Sequence, residues 1–349
     1  MLRRSCTSAL LALAACGDDE RSLAFEKIVV DSEFRAEGIA VFDVDGDGRL
    51  DLVTRELWYA GPRWTPHELR TPRAYDKAAG YAESFHAFNA DVDADGDEDL
   101  ISFSIPSGPV LACRNPRADV EWPCSDLIAS VGHESPYVAN GELVTIVGGK
   151  VAAVSPRDGA VVRVISPAGA QVEGHGLGPV DVDGDGRLDT VQGSGWIGAD
   201  GSWHPVELCP NNCSHIAGAD FDGDGAIDLA GSSPHNIGVW WFRGPAFTKE
   251  LVDESVSQTH AMRVADLDGD GVAEIVTGKR QYAHFSGDPG IDDPPVLVVY
   301  RRVGDAWTKL ELDADSGVGN QFEIADVDGD GRLDLAIASR RGVFLFRQR

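Results

Sequence analysis

The chain has 349 residues, of which 57 are acidic and 30 basic, for a formal net charge of −27. So acidic a balance leaves no basic patch to track a phosphate backbone and argues against nucleic acid as a partner. Forty glycines beside an ordinary apolar content point to a turn-rich globular protein, long enough for one large or two ordinary domains.

At the N-terminus, Arg3 and Arg4 precede the apolar run Thr7 to Ala15, too short for a bilayer-spanning helix but suited to a secretory signal over residues 1–15. The run ends in Leu13-Ala14-Ala15-Cys16, which resembles a bacterial lipobox. That resemblance implies cleavage before Cys16 and lipidation of its thiol. Residues 16–22 would then form a polar tether, and the protein would be a cell-envelope lipoprotein at the outer membrane or cell surface. Ordinary signal cleavage beside an incidental cysteine is the alternative. Setting Cys6 and Cys16 aside leaves Cys113, Cys124, Cys209 and Cys213, which suit two disulfides in an oxidising compartment. Three pairings are open, of which Cys113–Cys124 and Cys209–Cys213 are preferred. A zinc site is the competing use, although the spacings are not those of paired CxxC knuckles.

From residue 23 to 349 two signals repeat. The first is an aromatic residue followed by a short strand, in AFEKIVVD at Ala24, RWTPHELR at Arg63, EWPCSDLI at Glu121, SWHPVELC at Ser202, AFTKELVD at Ala246 and AWTKLELD at Ala306. GAVVRVIS at Gly159 is a weaker seventh copy. The second is an acidic ladder of nine residues with carboxylates at positions one, three, five and nine. The six ladders are Asp43, Asp45, Asp47 and Asp51; Asp91, Asp93, Asp95 and Asp99; Asp181, Asp183, Asp185 and Asp189; Asp220, Asp222, Asp224 and Asp228; Asp266, Asp268, Asp270 and Glu274; and Asp326, Asp328, Asp330 and Asp334.

Calcium is a hard cation that takes about six to eight oxygens, and carboxylates at positions one, three and five converge on it when the backbone curls tightly. Glycine at position six permits the curl. A carbonyl at position seven and the acid at nine complete the shell, so each ladder reads as a calcium loop, about six ions in all. Without a cation these carboxylates repel one another. The flanks are short apolar strands and the last acid falls at nine rather than twelve, so the unit is a strand–loop–strand hairpin and not an EF-hand.

Ladder starts are separated by 48, 90, 39, 46 and 60 residues, so the longest interval holds a unit whose ladder is missing. YVANGELVTIVGG, Tyr137 to Gly149, keeps the strand pattern there. Seven units of about 40–50 residues match the propeller period better than a parallel solenoid, whose repeats are shorter. The predicted fold is therefore all-β: a seven-bladed β-propeller of four-stranded antiparallel blades, six of them bearing calcium loops. The Phe25–Val30 strand precedes the first ladder while the chain ends after GVFLFRQR, so the N-terminal strand is expected to complete the last blade.

With these residues in view, the ladder resembles the FG-GAP or VCBS repeat, which implies a calcium-bearing seven-bladed propeller over nearly the whole mature chain. A narrower resemblance lies in SQTHAMRVADLDGDGVAEIVTGKRQYAHFSGDPGIDDPPVLVVY, HGLGPVDVDGDGRLD and ADSGVGNQFEIADVDGDG, which look like the propeller portion of aldos-2-ulose dehydratases. Those proteins are metal-containing lyases that dehydrate oxidised sugars. The resemblance implies that His175, His260, Lys279, Arg280 and His284 share a catalytic pocket. The sequence shows no cupin portion after the propeller, so an isomerase activity is not implied.

Phase also locates a site. Each innermost strand runs toward its ladder, so its beginning lies at the opposite face, near the mouth of the central channel. Glu37, His86, His175, His215, His260, Asn320 and Gln321 stand there, with His133 and Glu134 in the ladderless unit. The turn after the second strand returns to that face and brings Arg55, Glu56, Gln192, His235, Lys279, Arg280, His284 and Arg340, with the insertion 281–295 able to cover the mouth. His86, His175, His215 and His260 are expected to meet there, and such a ring can hold zinc or another transition metal, exchange protons, or line a watery channel. Three functions follow: binding of a polar ligand such as a carbohydrate, metal-dependent lyase chemistry on a keto-sugar, or surface adhesion.

Overall fold

The computed structural model describes residues 23–132, 134–167, 174–209, 213–284 and 287–349. The signal-peptide, lipid-anchor and tether expectations, and that for His133, fall outside these residues. The described chain forms seven four-stranded antiparallel sheets, each in sequence order from the innermost strand outward except the last. The innermost strands are Ala40–Phe42, His86–Ala90, Tyr137–Ala139, Gly178–Val180, Ala217–Ala219, Met262–Ala265 and Phe322–Ala325, one for each of blades one to seven. Contacts between successive inner strands, and between the first and last, close the ring, with blades two and three joined through a shared core that includes Ile101 and Leu143.

Burial follows the blade geometry. Second strands such as Asp99–Phe103 and Asp334–Ser339 are buried throughout because both faces of the sheet are covered by neighbouring blades. Outermost strands such as Val161–Val164 are exposed along their whole length. The cores accordingly lie between blades. Val53 and Trp58 of blade one pack with Leu100, Cys113 and Trp122 of blade two, and Val276 and Val299 of blade six with Leu335 and Phe344 of blade seven. Near the axis the backbones come too close for side chains: a Cβ on Gly178 would sit 1.9 Å from the Ile216 carbonyl oxygen, and one on Gly319 2.2 Å from that of Glu37.

The last sheet has the order expected for closure by the chain's own start. Phe25–Asp31 pairs antiparallel with Gly342–Gln348, setting Phe25 opposite Gln348 and Val29 opposite Phe344. This strand supplies the outer edge that blade seven otherwise lacks. Blade three replaces the ladder with a tight turn. Asn140 and Gly141 take φ of 51° and 74° between paired Ala139 and Glu142, the positive-φ pair of a type I′ hairpin. Both preferred disulfides form. Cys113 and Cys124 are cross-strand partners in blade two, and Cys209 is bonded to Cys213. Among the described residues, no helix is long and apolar enough to cross a membrane.

Candidate functional site

The six ladders lie together on one face, between the first and second strands of their blades. In at least four of them the acids at positions one, three and nine, as in Asp43, Asp45 and Asp51, bring ligand oxygens within 4.8 Å of one another. The backbone shapes the cluster. Asp43 accepts from the Gly46 and Gly48 amides at 2.7 and 3.0 Å, and Asp51 from the Val44 and Gly61 amides at 2.8 and 2.9 Å. Burial pushes the position-nine carboxyls up, to about 6 for Asp51 and about 7 for Glu274, despite the opposing backbone hydrogen bonds. Converging hard oxygens with a cost attached to their bare charge fit a calcium ion.

At the opposite face, near the channel mouth, the side chains of blades three to six converge. His235, in the turn after the second strand of blade five, places Nε2 3.1 Å from His175 Nε2, so one ring donates to the other. His260 packs edge-on against both, with ring centres 5.7 Å from His175 and 5.3 Å from His235. Glu134 of blade three lies 3.9 Å from His175 Nδ1 and 4.0 Å from His260 Nε2. Above them His284 stacks on His235 at 4.3 Å, and Asp288 Oδ2 reaches His284 Nδ1 at 3.1 Å and His235 Nδ1 at 3.4 Å. His235, His284 and Asp288 each offer a ligand atom within 4.8 Å of the others, a donor set that fits a divalent transition metal.

The cluster's electrostatics come from burial beside a cation. Desolvation, then the Arg280 charge, lowers His175 to about 4 and His260 well below its usual value. Burial lowers His235 as well. These imidazoles are therefore neutral at pH 7, each able to donate from one nitrogen and accept at the other. Burial raises Glu134, opposed mainly by Arg280.

Beside the histidines lies a fully buried ion cluster. Glu37 accepts from Arg280 Nε at 2.6 Å and lies 3.9 Å from Arg340. Both guanidiniums face aromatic rings: Arg280 those of Tyr81 and Phe85 at 5.1 and 5.2 Å, Arg340 those of Phe34 and Tyr81 at 5.1 and 5.2 Å. The insertion after Arg280 is pinned at both ends. Tyr81 donates to the Ala283 carbonyl at 2.8 Å, and Ser257 Oγ to that of Gly290 at 3.2 Å. Lys279 serves this anchoring. Its Nζ donates to the carbonyls of Arg280 and Gln281 at 3.1 and 3.3 Å, and burial lowers it to about 8.

The structure thus gathers His175, His260, Arg280 and His284 of the sequence-derived set into one region, while the Lys279 ammonium turns to the base of the insertion. His86 and His215 form a separate stacked pair 5.8 Å apart, and His215 Nδ1 contacts Arg263 at 3.3 Å. Asp288 was absent from the sequence expectations, and His235 appeared there only as one of several turn residues. The histidine-plus-acid spacing between His284 and Asp288, four residues apart, was the signal available for Asp288.

Residues 220–277, which carry the ladders of blades five and six, match the model of the FG-GAP-like repeat. Solved structures similar to this propeller share its fold at low identity. A chain of the mitotic checkpoint complex matches at TM-score 0.57 and 12% identity over 99% of both chains. The extracellular domain of a hybrid two component system of B. thetaiotaomicron matches at TM-score 0.52 and 14% identity over 91% of this chain. That of a one component system of the same organism matches at 0.53 and 11% over 92%. This chain spans 39% of the length of each of those two. No curated protein matches the sequence.

Proposed function

We propose that this FG-GAP-like propeller is an exported, lipid-anchored protein, stapled by calcium on one face, that binds a polar ligand, a carbohydrate, at the channel mouth on the other. The observation that carries the reading is the cluster of neutral imidazoles around Glu134, roofed by the pinned insertion. Neutral rings offer paired donors and acceptors, the complement of sugar hydroxyls, and Tyr81 and Phe85 stand close by. Export is supported by the two disulfides and by the signal-like N-terminus, with Cys16 as the anchor. Calcium is supported by the convergence of positions one, three and nine. The acids of the six ladders would hold the ions, whose charge would relieve the repulsion within each loop.

The test is a glycan array followed by calorimetry on the binders. The reading expects at least one carbohydrate bound by the native protein and lost in His260→Ala at unchanged melting temperature. An array without a hit, or a hit indifferent to that substitution, would remove the reading.

A second reading rests on the His235–His284–Asp288 donor set: a lyase acting on a keto-sugar. A transition metal there would supply Lewis acidity toward a carbonyl. His175 and His260, neutral and within the same cluster, would take up a proton from the adjacent carbon, and Arg280 would favour negative charge nearby. Elemental analysis separates the readings, because this one requires zinc or a similar ion that His235→Ala and Asp288→Ala both abolish.

A further inference from the structure

The six ladders are not equivalent, and the difference lies in one residue of the third strand. In blade five Phe242 pairs with Leu229, directly after the position-nine acid, and the next residue is Arg243. In blade six Tyr300 pairs with Ile275 and is followed by Arg301. Blades one and four put Tyr59 opposite Leu52 and Ile197 opposite Thr190, and the residues that follow are Ala60 and Gly198. The register is the same, so each following residue stands over its ladder.

In blades five and six the arginine reaches the position-three acid. Arg243 lies 2.6 Å from Asp222 Oδ2 and Arg301 3.3 Å from Asp268 Oδ2, while Oδ1 of each acid accepts the amide two residues on. The side chains of Asp222 and Asp268 are only 5% and 4% exposed. At the same position Asp45, Asp93, Asp183 and Asp328 are exposed. Arg114 and Arg347 approach their acids in blades two and seven more loosely, at 3.8 and 3.6 Å. The pairs Arg49–Asp47, Arg187–Asp185 and Arg332–Asp330, within the loops themselves, involve exposed arginines on the position-five acid and are of the weak surface kind.

We propose that Arg243 and Arg301 are built-in counter-cations that weaken calcium binding to the ladders of blades five and six and hold those two blades together when the ion is absent. The inference rests on the calcium reading of the ladders. The guanidinium already neutralises one of the carboxylates a calcium ion would use, and on binding it must leave that oxygen or remain beside a divalent charge. In a water-like dielectric, a unit charge about 6 Å from a divalent ion changes its binding about ten-fold. The sites of blades five and six should therefore be about ten-fold weaker than those of blades one and four, which lack the arginine, with blades two and seven, where Arg114 and Arg347 stand farther off, between them; calcium should exchange first at blades five and six while blades one and four remain loaded.

The experiment is a calcium titration of the full mature chain after stripping with EGTA, by calorimetry with the bound ions counted by equilibrium dialysis. The native protein should bind two ions, the tight class at blades one and four, about ten-fold more tightly than the two weakest, at blades five and six, with blades two and seven between. Arg243→Leu and Arg301→Leu should each move one site into the tight class, a gain of about ten-fold, and lower the metal-free melting temperature. Ala60→Arg should move one tight site the other way and serves if either leucine variant folds only with calcium. Bound ions whose affinities ignore these substitutions, or bind more weakly in the leucine variants, overturn this inference alone. A chain that binds no calcium at millimolar free ion overturns it together with the calcium reading.

Discussion

Replacing Arg280 with Met removes the cation whose Nε donates to Glu37 at 2.6 Å, while the methionine stem still fills the space beside Tyr81 and Phe85. Glu37 is fully buried, and its nearest remaining cation, Arg340, is 3.9 Å away with a donor committed to the Gly80 carbonyl at 2.6 Å. Deleting one partner of a buried pair costs about 3–5 kcal/mol, because the other charge is left without compensation. Arg340 retains part of the attraction, so Arg280→Met should cost about 3 kcal/mol. Adding Glu37→Gln removes the stranded charge and should recover about half of that loss, leaving the double variant about 1.5 kcal/mol more stable than Arg280→Met alone. Urea unfolding at pH 7.5 in saturating calcium, comparing native, single and double variants, reads each value. Additive losses in the double variant would refute the view that these residues form one buried ion cluster.

Glu274, raised by burial to about 7, holds a proton in the metal-free fold that it loses in the unfolded chain above about 4.5. Metal-free protein should therefore lose stability as pH rises from about 4.5 to about 7, by up to about 3 kcal/mol from this group, and Glu274→Gln should flatten the profile. Calcium competes with that proton, so its binding to blade six should strengthen over the same interval. His175 has the opposite sign: with its folded value near 4, its contribution is complete above about 6.5 and is lost as pH falls toward 4, by about 3 kcal/mol, which His175→Gln should abolish. Replacing Cys113 and Cys124 with serine should cost about 3 kcal/mol in reversible unfolding, as expected for release of an eleven-residue separation. Deleting residues 23–31 should open blade seven and give a chain that aggregates during purification, whereas a soluble monomer with native circular dichroism would contradict closure by that strand.

The fold was readable because its signals are local and periodic. A ladder fixes where a first strand ends and a second begins, an aromatic residue marks the outermost strand, and the placement of Phe25 before the first ladder implies closure. Even the ladderless blade announced itself, through strands kept at the right interval around Asn140-Gly141. The mouth was harder to read. Repeat phase places His86, His175, His215 and His260 at equivalent positions, but side-chain direction decides which rings meet, and only His175 and His260 join the main cluster. The groups that complete it, His284 and Asp288, belong to an insertion without a repeat phase. Glu37 and Arg280 are 243 residues apart in sequence, and no periodicity links an innermost-strand acid of blade one to an arginine of blade six. The arginines over the ladders of blades five and six become meaningful only once the third-strand register is known.

The most direct test of the mouth as the ligand site is a proton NMR titration of the imidazole resonances with a carbohydrate that binds on the array. His67 and His204 stack on Trp58 and Trp196 in the outer strands and serve as internal references. Ligand at the mouth should shift His175, His235, His260 and His284 and leave both references unmoved. Saturable binding that shifts the outer-strand rings and leaves the four mouth histidines unchanged would contradict it.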